Sequence, residues 1–273
     1  MNAIEKKHRT ADGEIYYCVQ KAEEDAPWLV FLPGLTVDHT LFDRQMEWFS
    51  GRWNCLTWDA PGHGRSRPFA LNYSLQDKAR FLHDILEAER ITAPILVGQS
   101  MGGYVSQAYM DLYPNSVSGF VSVDSCPISR KYYTSWELAL LKKTKGMYMC
   151  IPWKLVLKWS IEGTAVTEYG RELMRKTWAV YEKEEYCSLA GHGFRILAEA
   201  VEARPEYLIT CPVLLLCGEK DQVGYMKRYN HQWTKQDGYP LVWLKDAGHN
   251  SNTDVPEEVN RLIEGFVREI KGI

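Results

Sequence analysis

A serine flanked by glycines, in the segment Gly98-Gln99-Ser100-Met101-Gly102-Gly103, constrains this chain more than any other feature. An apolar run at residues 94–97 precedes the segment, and a helical pattern at 104–113 follows it. A sharp strand–turn–helix connection needs small residues two before and two after the serine, and Gly98 and Gly102 satisfy this requirement. The following helix would direct its free N–H groups toward negative charge that forms at the serine. The alternative is an ordinary glycine-rich turn in which the serine only caps the helix.

Short apolar runs alternate with helical spacing along most of the chain. After a predicted hairpin over residues 5–20, the runs lie at 28–32, 55–58, 94–97, 118–123, 213–217 and 241–244. Continuous apolar runs of this length are typical of strands buried on both faces of a parallel sheet. The pattern therefore predicts an α/β fold with a mostly parallel sheet that helices cover on both faces.

The alternation stops between Asp124 and Pro212. Only helical segments are evident there, and they are rich in aromatic residues: Trp136, Tyr148, Trp153, Trp159, Trp178, Tyr181 and Phe194. We predict a helical cap at residues 127–205, inserted into a core formed by 1–126 and 206–273. An insert at this point leaves from the carboxyl edge of the strands, where open α/β sheets place their sites. The aromatic residues indicate an apolar pocket, although any single tryptophan could belong to the core of the cap.

Composition excludes several classes of protein. The net charge of −3 over 273 residues gives no broad electrostatic case for nucleic-acid binding, and no run approaches the length of a membrane span. The polar start of the chain does not resemble a secretory signal, and the seven cysteines lack C-x-x-C spacing, so we expect a cytoplasmic protein with reduced thiols. No metal-ligand cluster, P-loop or G-x-G-x-x-G motif occurs, so no cofactor is implied. The lysines at 142–145 are expected on a solvated helix end, with a membrane-surface role as the alternative.

The serine needs a base to become a nucleophile at neutral pH, and histidine is the usual one. His249 is the best placed, because its loop follows the last strand and leaves from the same sheet edge as Ser100. His63 lies on the same edge in a Pro-Gly-His-Gly turn, and His39 lies near the loop after the strand at 28–32 and could line a pocket.

The base in turn needs a buried carboxylate that holds it in one tautomer. Asp221 follows the strand at 213–217 on the correct edge. Asp124, which ends the preceding strand, competes with it, although its side chain could instead anchor the start of the cap. Glu219 is a third candidate. We favour Asp221.

An acyl oxyanion needs two preorganised backbone donors. One is expected to be the N–H of Met101, directly after the nucleophile. The other is expected to be the N–H of Leu35, because Gly34 lets the preceding loop turn tightly.

Taken together, these segments resemble the α/β-hydrolase fold superfamily over nearly the whole chain. The matching stretches are Phe31-Leu32-Pro33-Gly34, residues 58–66, the Ser100 segment, Leu216-Cys217-Gly218-Glu219-Lys220-Asp221 and Asp246-Ala247-Gly248-His249. The resemblance implies a Ser100–Asp221–His249 triad, an oxyanion hole from Leu35 and Met101, and a cap that forms the acyl pocket. It also argues against epoxide hydrolases and haloalkane dehalogenases, which need an aspartate where this chain has Ser100. Many relatives carry His-Gly at Pro33-Gly34, which concerns only the shape of the oxyanion loop.

The expected function is a cofactor-free serine hydrolase that cleaves a small, mostly apolar carboxylic ester through an acyl-enzyme. The partner is thus a small-molecule substrate, with no nucleic acid and no membrane span, and the sequence does not indicate an oligomeric state. The same triad also serves carbon–carbon bond hydrolases, thioesterases and lyases. A barely catalytic ligand sensor of the same fold is a further alternative.

Overall fold

The computed structural model describes residues 3–203 and 208–273. Its centre is an eight-stranded sheet with the order β1-β2-β4-β3-β5-β6-β7-β8. The strands are β1 Ile4–Arg9, β2 Glu14–Gln20, β3 Trp28–Leu32, β4 Asn54–Trp58, β5 Ile95–Gln99, β6 Gly119–Val123, β7 Val213–Gly218 and β8 Leu241–Leu244. β2 runs antiparallel to β1 and β4, and all other neighbours are parallel. The predicted α/β class, the mostly parallel sheet and the opening hairpin are confirmed.

Side chains of the central strands alternate between two hydrophobic clusters, one on each face of the sheet. In β3, Val30 and Leu32 join one cluster, whereas Leu29 and Phe31 join the other. The period of two follows from strand geometry, in which successive side chains point to opposite faces. Both faces are therefore buried, as the continuous apolar runs predict.

Eleven α-helices are present among the described residues, together with two short 3-10 helices, His39–Phe42 and Arg130–Tyr132. The α-helices are α1 Asp43–Phe49, α2 Leu75–Ala88, α3 Met101–Leu112, α4 Ser135–Leu141, α5 Thr144–Met149, α6 Trp153–Thr164, α7 Glu168–Trp178, α8 Lys183–Glu202, α9 Met226–Asp237, α10 Ser251–Asp254 and α11 Pro256–Lys271. α2 begins with a capping box in which Ser74 and Asp77 each accept a hydrogen bond from the other's backbone N–H. An N-cap of this kind is typically worth about 1 kcal/mol. Among the described residues, no helix is both long and apolar enough to cross a membrane.

Helices α4 to α8, here called the inserted helices, lie between β6 and β7 in the chain, and no strand occurs among them in residues 127–203. The long helix α8 contacts α4 and α5 as well as α2 of the core. The predicted C-terminal boundary of the cap, between residues 205 and 206, falls outside the described residues.

Candidate active site

Ser100 stands on a strained turn between β5 and α3. Its backbone has φ 49° and ψ −116°, a conformation that costs a residue with a side chain on the order of 1–3 kcal/mol. The turn is as tight as the glycine spacing predicts. A Cβ on Gly102 would lie 1.8 Å from the carbonyl oxygen of Leu32, and one on Gly98 would lie 2.5 Å from the backbone of α3. The two glycines thus let the helix and the neighbouring strand approach closely enough to present the hydroxyl.

Two hydrogen bonds connect Ser100, His249 and Asp221. The Oγ of Ser100 lies 2.9 Å from Nε2 of His249, and Nδ1 of His249 lies 2.9 Å from Oδ2 of Asp221. Asp221 and His249 are 3% and 4% exposed. The structure therefore brings together the three side chains singled out from the sequence, although up to 149 residues separate them.

The rival candidates lie elsewhere. His63 is fully buried, its Nδ1 lies 3.0 Å from the carbonyl of Pro61, and burial lowers the pKa of its imidazole to about 3. Nδ1 of His39 lies 2.7 Å from Oδ1 of Asp59, and His39 does not line the cavity that lies over Ser100. Glu219 is exposed. None of these side chains contacts the Ser100 hydroxyl.

Asp124 is fully buried close to the Asp221 carboxylate, but it bonds to backbone rather than to histidine. Its Oδ1 accepts the N–H of Gly218 at 2.8 Å, and its Oδ2 accepts the N–H of Ser251 at 2.9 Å. Burial and the nearby charge of Asp221 raise the pKa of Asp124. Asp124 therefore fastens the end of β7 to the start of α10, and neither of its carboxylate oxygens bonds to the inserted helices.

The surroundings of His249 act on its pKa in opposite directions. Burial by itself lowers the pKa, but the charge and hydrogen bond of Asp221, with the charge of Asp124, raise it. The net result is a pKa above the ordinary histidine value of 6.5. An imidazolium that forms here during a reaction is thus stabilised by a carboxylate that water does not screen.

The loop after β3 lies against the nucleophile. A Cβ on Gly34 would lie 2.3 Å from Oε1 of Gln99 and 3.2 Å from the Cβ of Ser100, so a side chain at 34 would displace Gln99 next to the nucleophile. Neither the N–H of Leu35 nor that of Met101 donates a hydrogen bond to another described residue. The indole of Trp178, on α7, donates to the carbonyl of Thr36 at 3.0 Å and so holds this loop from the side of the inserted helices.

The His249 loop is also attached to the inserted helices, through a residue that the sequence interpretation missed. Asp254 accepts hydrogen bonds from the N–H of Gly248 at 2.9 Å and from the N–H and hydroxyl of Thr167 at 2.9 and 2.7 Å. The N–H of Asn250 donates to the carbonyl of Thr164 at 2.7 Å. The only signal for this attachment is the polar run 250–254 directly after the histidine, which has no apolar periodicity to interpret.

A cavity of about 350 Å³ lies over Ser100 and His249. Half of its 26 lining residues come from the segment 127–203, and none of the 26 is Asp, Glu, Lys or Arg. The aromatic residues of the insert divide into two groups. Those that line the cavity are Tyr148, Trp159, Trp178, Tyr186 and Phe194, whereas Trp136, Trp153 and Tyr181 do not.

Within residues 3–203 and 208–273, two side-chain clusters have the composition of a metal site, namely Asp38 with His39 and Asp59, and Asp124 with Cys217 and Asp221. Their carboxylate oxygens already accept hydrogen bonds. In the first cluster, Asp59 accepts from His39 and from the N–H of Arg65. Both clusters are accounted for by hydrogen bonds that hold loops in place.

Residues 29–262 match the profile of a family described as the alpha/beta hydrolase family. The chain belongs to this family. Among curated proteins it is 24% identical to 3-oxoadipate enol-lactonase 1 of Acinetobacter baylyi over 91% of each chain, and 23% identical to human epoxide hydrolase 4 over 94% of this chain and 76% of that one. Among solved structures it superimposes on a thermophilic esterase from Thermogutta terrifontis with a TM-score of 0.77, at 18% identity and 99% coverage of both chains.

These three relatives are all named as hydrolases, but the reactions in their names differ. One is named as an enol-lactonase, one as an epoxide hydrolase and one as an esterase. The comparisons therefore support hydrolase activity of the α/β type. The choice among reactions has to come from the residues of this chain.

Proposed function

We propose that this protein is a serine hydrolase that cleaves a small, uncharged, mostly apolar carboxylic ester through an acyl-enzyme. The observation that carries the proposal is the chain of two 2.9 Å hydrogen bonds from Ser100 through His249 to Asp221 at the base of an apolar cavity. A hydroxyl nucleophile at residue 100 distinguishes the chain from enzymes of this fold that attack with a carboxylate.

In the first half of the reaction, Nε2 of His249 removes the proton of Ser100 as Oγ attacks the ester carbonyl. The N–H groups of Leu35 and Met101 donate to the oxyanion. Both are available for it, because neither donates to another residue in the part of the chain that the structure describes. Asp221 holds Nδ1–H and stabilises the imidazolium. The tetrahedral intermediate collapses when His249 returns its proton to the leaving alkoxide, which departs as the alcohol.

In the second half, water takes the place of the alcohol. His249 removes a proton from the water, the hydroxide attacks the acyl carbon, and the same two N–H groups hold the oxyanion. The imidazolium then protonates Oγ of Ser100 as the bond to the acyl group breaks. Ester and water are consumed, and acid and alcohol are released.

The substrate class is inferred from the lining. A volume of about 350 Å³ is near the lower end for ligand pockets, which favours a small substrate. The absence of acidic and basic side chains among the lining residues disfavours an ionised acyl group, because an unpaired buried charge costs several kcal/mol. We propose that the segment 127–205 functions as the cap that supplies the acyl half of this pocket.

The test compares nitrophenyl esters of similar length and different charge. We expect p-nitrophenyl butyrate to be hydrolysed with a kcat/KM at least about 10²-fold above that of the p-nitrophenyl monoester of succinate, whose acyl chain ends in a carboxylate. A fluorophosphonate should label Ser100 alone, and Ser100→Ala should abolish both labelling and turnover. Butyrate turnover that survives in the alanine variant would refute the nucleophile, and a preference for the succinate monoester would refute the uncharged pocket.

A cytoplasmic location is part of the proposal. It is supported by the cysteines, all seven of which are unpaired, with five of them buried. Such thiols persist in a reducing compartment. Cell fractionation would test the location, and recovery of the protein outside the cytoplasm would refute it.

A further inference from the structure

Exposed large apolar side chains are concentrated on three of the inserted helices. Of the 13 such side chains among the described residues, six lie on α4, α5 and α6 within residues 136–159. They are Trp136, Leu140, Met147, Met149, Leu155 and Trp159, and the two tryptophans are 64% and 54% exposed. We call the exposed side chains of residues 136–159 the docking face. Large apolar side chains left exposed together in one segment of the chain mark an interaction site more often than scattered ones do.

The docking face is basic in a protein that is acidic overall. Residues 134–163 contain five lysines and two glutamates, whereas the whole chain has a net charge of −3. Glu137 pairs with Arg228, which removes one acidic group from the exposed surface. Lys143, Lys145 and Lys154 are exposed and form no ion pair with another described residue. The local charge is therefore free to meet a negative surface.

The active-site cavity reaches the docking face. Trp159 lines the cavity and is also half exposed, and Tyr148 and Ile151 of the same region line the cavity and are partly exposed. A molecule held in an apolar layer against α5 and α6 could thus enter the cavity without crossing bulk water.

We propose that α4, α5 and α6 dock on an anionic lipid bilayer, with the tryptophans in the interfacial layer and the lysines among the headgroups. Interfacial helices combine these two features, since apolar burial and attraction to anionic lipid add together. Tryptophan is favoured at the depth where one end of a side chain is apolar and the other is wet. The inference rests on the proposed function only for its consequence, which is that an ester dissolved in the bilayer is delivered to Ser100.

The first measurement is flotation of the full chain with vesicles of phosphatidylcholine alone or of phosphatidylcholine with 30% phosphatidylserine. We expect binding to the anionic vesicles, weaker binding to the neutral ones, and release by 0.5 M salt, since added salt screens the attraction. No preference for the anionic vesicles would overturn the proposal.

Two variants localise the contact without touching the cavity lining. Lys143→Gln with Lys154→Gln should weaken binding to anionic vesicles about 25-fold, at about fivefold for each lysine. Trp136→Gln should weaken it by about tenfold through lost apolar burial. The matched controls change exposed residues elsewhere, Lys21→Gln with Lys245→Gln and Trp243→Gln, and should bind like the unaltered protein. Equal binding by the docking-face variants and the controls would overturn the assignment.

Hydrolysis of dissolved p-nitrophenyl butyrate, measured without vesicles, separates this inference from the proposed function. It should be unchanged in all these variants, whereas hydrolysis of a long-chain ester embedded in anionic vesicles should fall with vesicle binding. If the protein binds vesicles but hydrolyses neither ester, the docking stands and the proposed function fails. If light scattering shows a dimer that Trp136→Gln converts to monomers, a second copy covers the face and the lipid proposal is wrong.

Discussion

Replacing Asp221 by asparagine changes one atom of the hydrogen-bond chain, and the structure determines which way the new amide points. The second carboxylate oxygen, Oδ1, accepts the N–H of Val223 at 2.8 Å. An asparagine keeps that bond only if its oxygen faces Val223, and its NH₂ group then faces Nδ1 of His249. His249 must present an unprotonated Nδ1 to that donor, so its proton moves to Nε2, the atom that has to accept the proton of Ser100. The favoured state of the variant is therefore inactive.

The magnitude follows from two costs. Turning the amide over to restore the productive tautomer places its NH₂ donor against the Val223 N–H. Leaving these two donors without acceptors costs about 1–3 kcal/mol. The imidazolium also loses a buried charge-assisted hydrogen bond, which is worth about 1.5–3 kcal/mol. At about 2 kcal/mol each, kcat falls by about 10³-fold, and the upper end of the range is about 10⁴-fold.

The assay measures kcat for p-nitrophenyl butyrate from pH 5 to 9, at matched folded fraction, for Asp221→Asn and for the control Asp124→Asn. Activity requires neutral His249, whose pKa is raised, so kcat/KM of the unaltered protein should increase with pH around a midpoint above 6.5. Asp124→Asn removes one of the smaller contributions to the raised pKa of His249. The midpoint of the pH profile should therefore move slightly down, while kcat falls less than about tenfold. Its larger effect should be a loss of about 1–3 kcal/mol of stability, since both carboxylate oxygens accept backbone N–H groups. The reverse ranking of the two variants in kcat would refute the assignment of Asp221.

Three further predictions concern the turn, the cavity and the loop attachment. Ser100→Ala and Ser100→Gly should both lose roughly 10⁴–10⁶-fold in kcat. In urea unfolding, the glycine variant should be about 1 kcal/mol more stable than the alanine variant, because φ is positive at this position. Equal stabilities would contradict the strained turn. Gly163→Leu should shift the preference among C2 to C8 nitrophenyl esters toward shorter chains, because Gly163 lines the cavity and an added Cβ there meets nothing within 4 Å. The control Gly265→Leu, at an exposed helical glycine outside the cavity, should leave this preference unchanged. An unchanged rate for the C8 ester in Gly163→Leu would argue against an acyl pocket here. Asp254→Asn should lower kcat several-fold and the free energy of unfolding by about 1–2 kcal/mol. The control Thr167→Ser, which keeps the hydroxyl that donates to Asp254, should preserve both. If Asp254→Asn melts and turns over like the unaltered protein, Asp254 does not support the His249 loop.

The strands and the turn around Ser100 were predictable because their causes are local. The run at residues 28–32 is apolar and bounded by Pro27 and Pro33, and the strand β3 has the same bounds. Gly98 and Gly102 carry their own steric reason, since any side chain there would collide with backbone. Local patterns therefore determine where elements begin and what the tight turn requires.

The choice between Asp221 and Asp124 could not be predicted with the same certainty, because it depends on how two loops cross. Both side chains end near the same sheet edge, and both are buried. The position of Gly218 decides between them, since its N–H occupies Asp124 and leaves Asp221 to face His249. The short helix α10 was missed for a related reason. Its residues are polar, and their burial comes from distant partners such as the Leu41 carbonyl, which accepts from Asn252.

The attachment of the His249 loop to the turn between α6 and α7 has a consequence for how this enzyme can be recombined with its relatives. Exchanging all of residues 127–205 for a homologous segment would discard Thr164 and Thr167, the partners of Asn250 and Asp254, and so would misplace the base along with the pocket. A crossover placed after α5 would keep those partners and replace only α4 and α5. Sequence variation among homologues should follow the same division. Positions 164–167 should covary with positions 250–254, whereas α4 and α5 should diverge independently of them. Because α4 and α5 contribute only Tyr148 to the cavity lining, such an exchange should leave most of the pocket, and with it the substrate preference, in place.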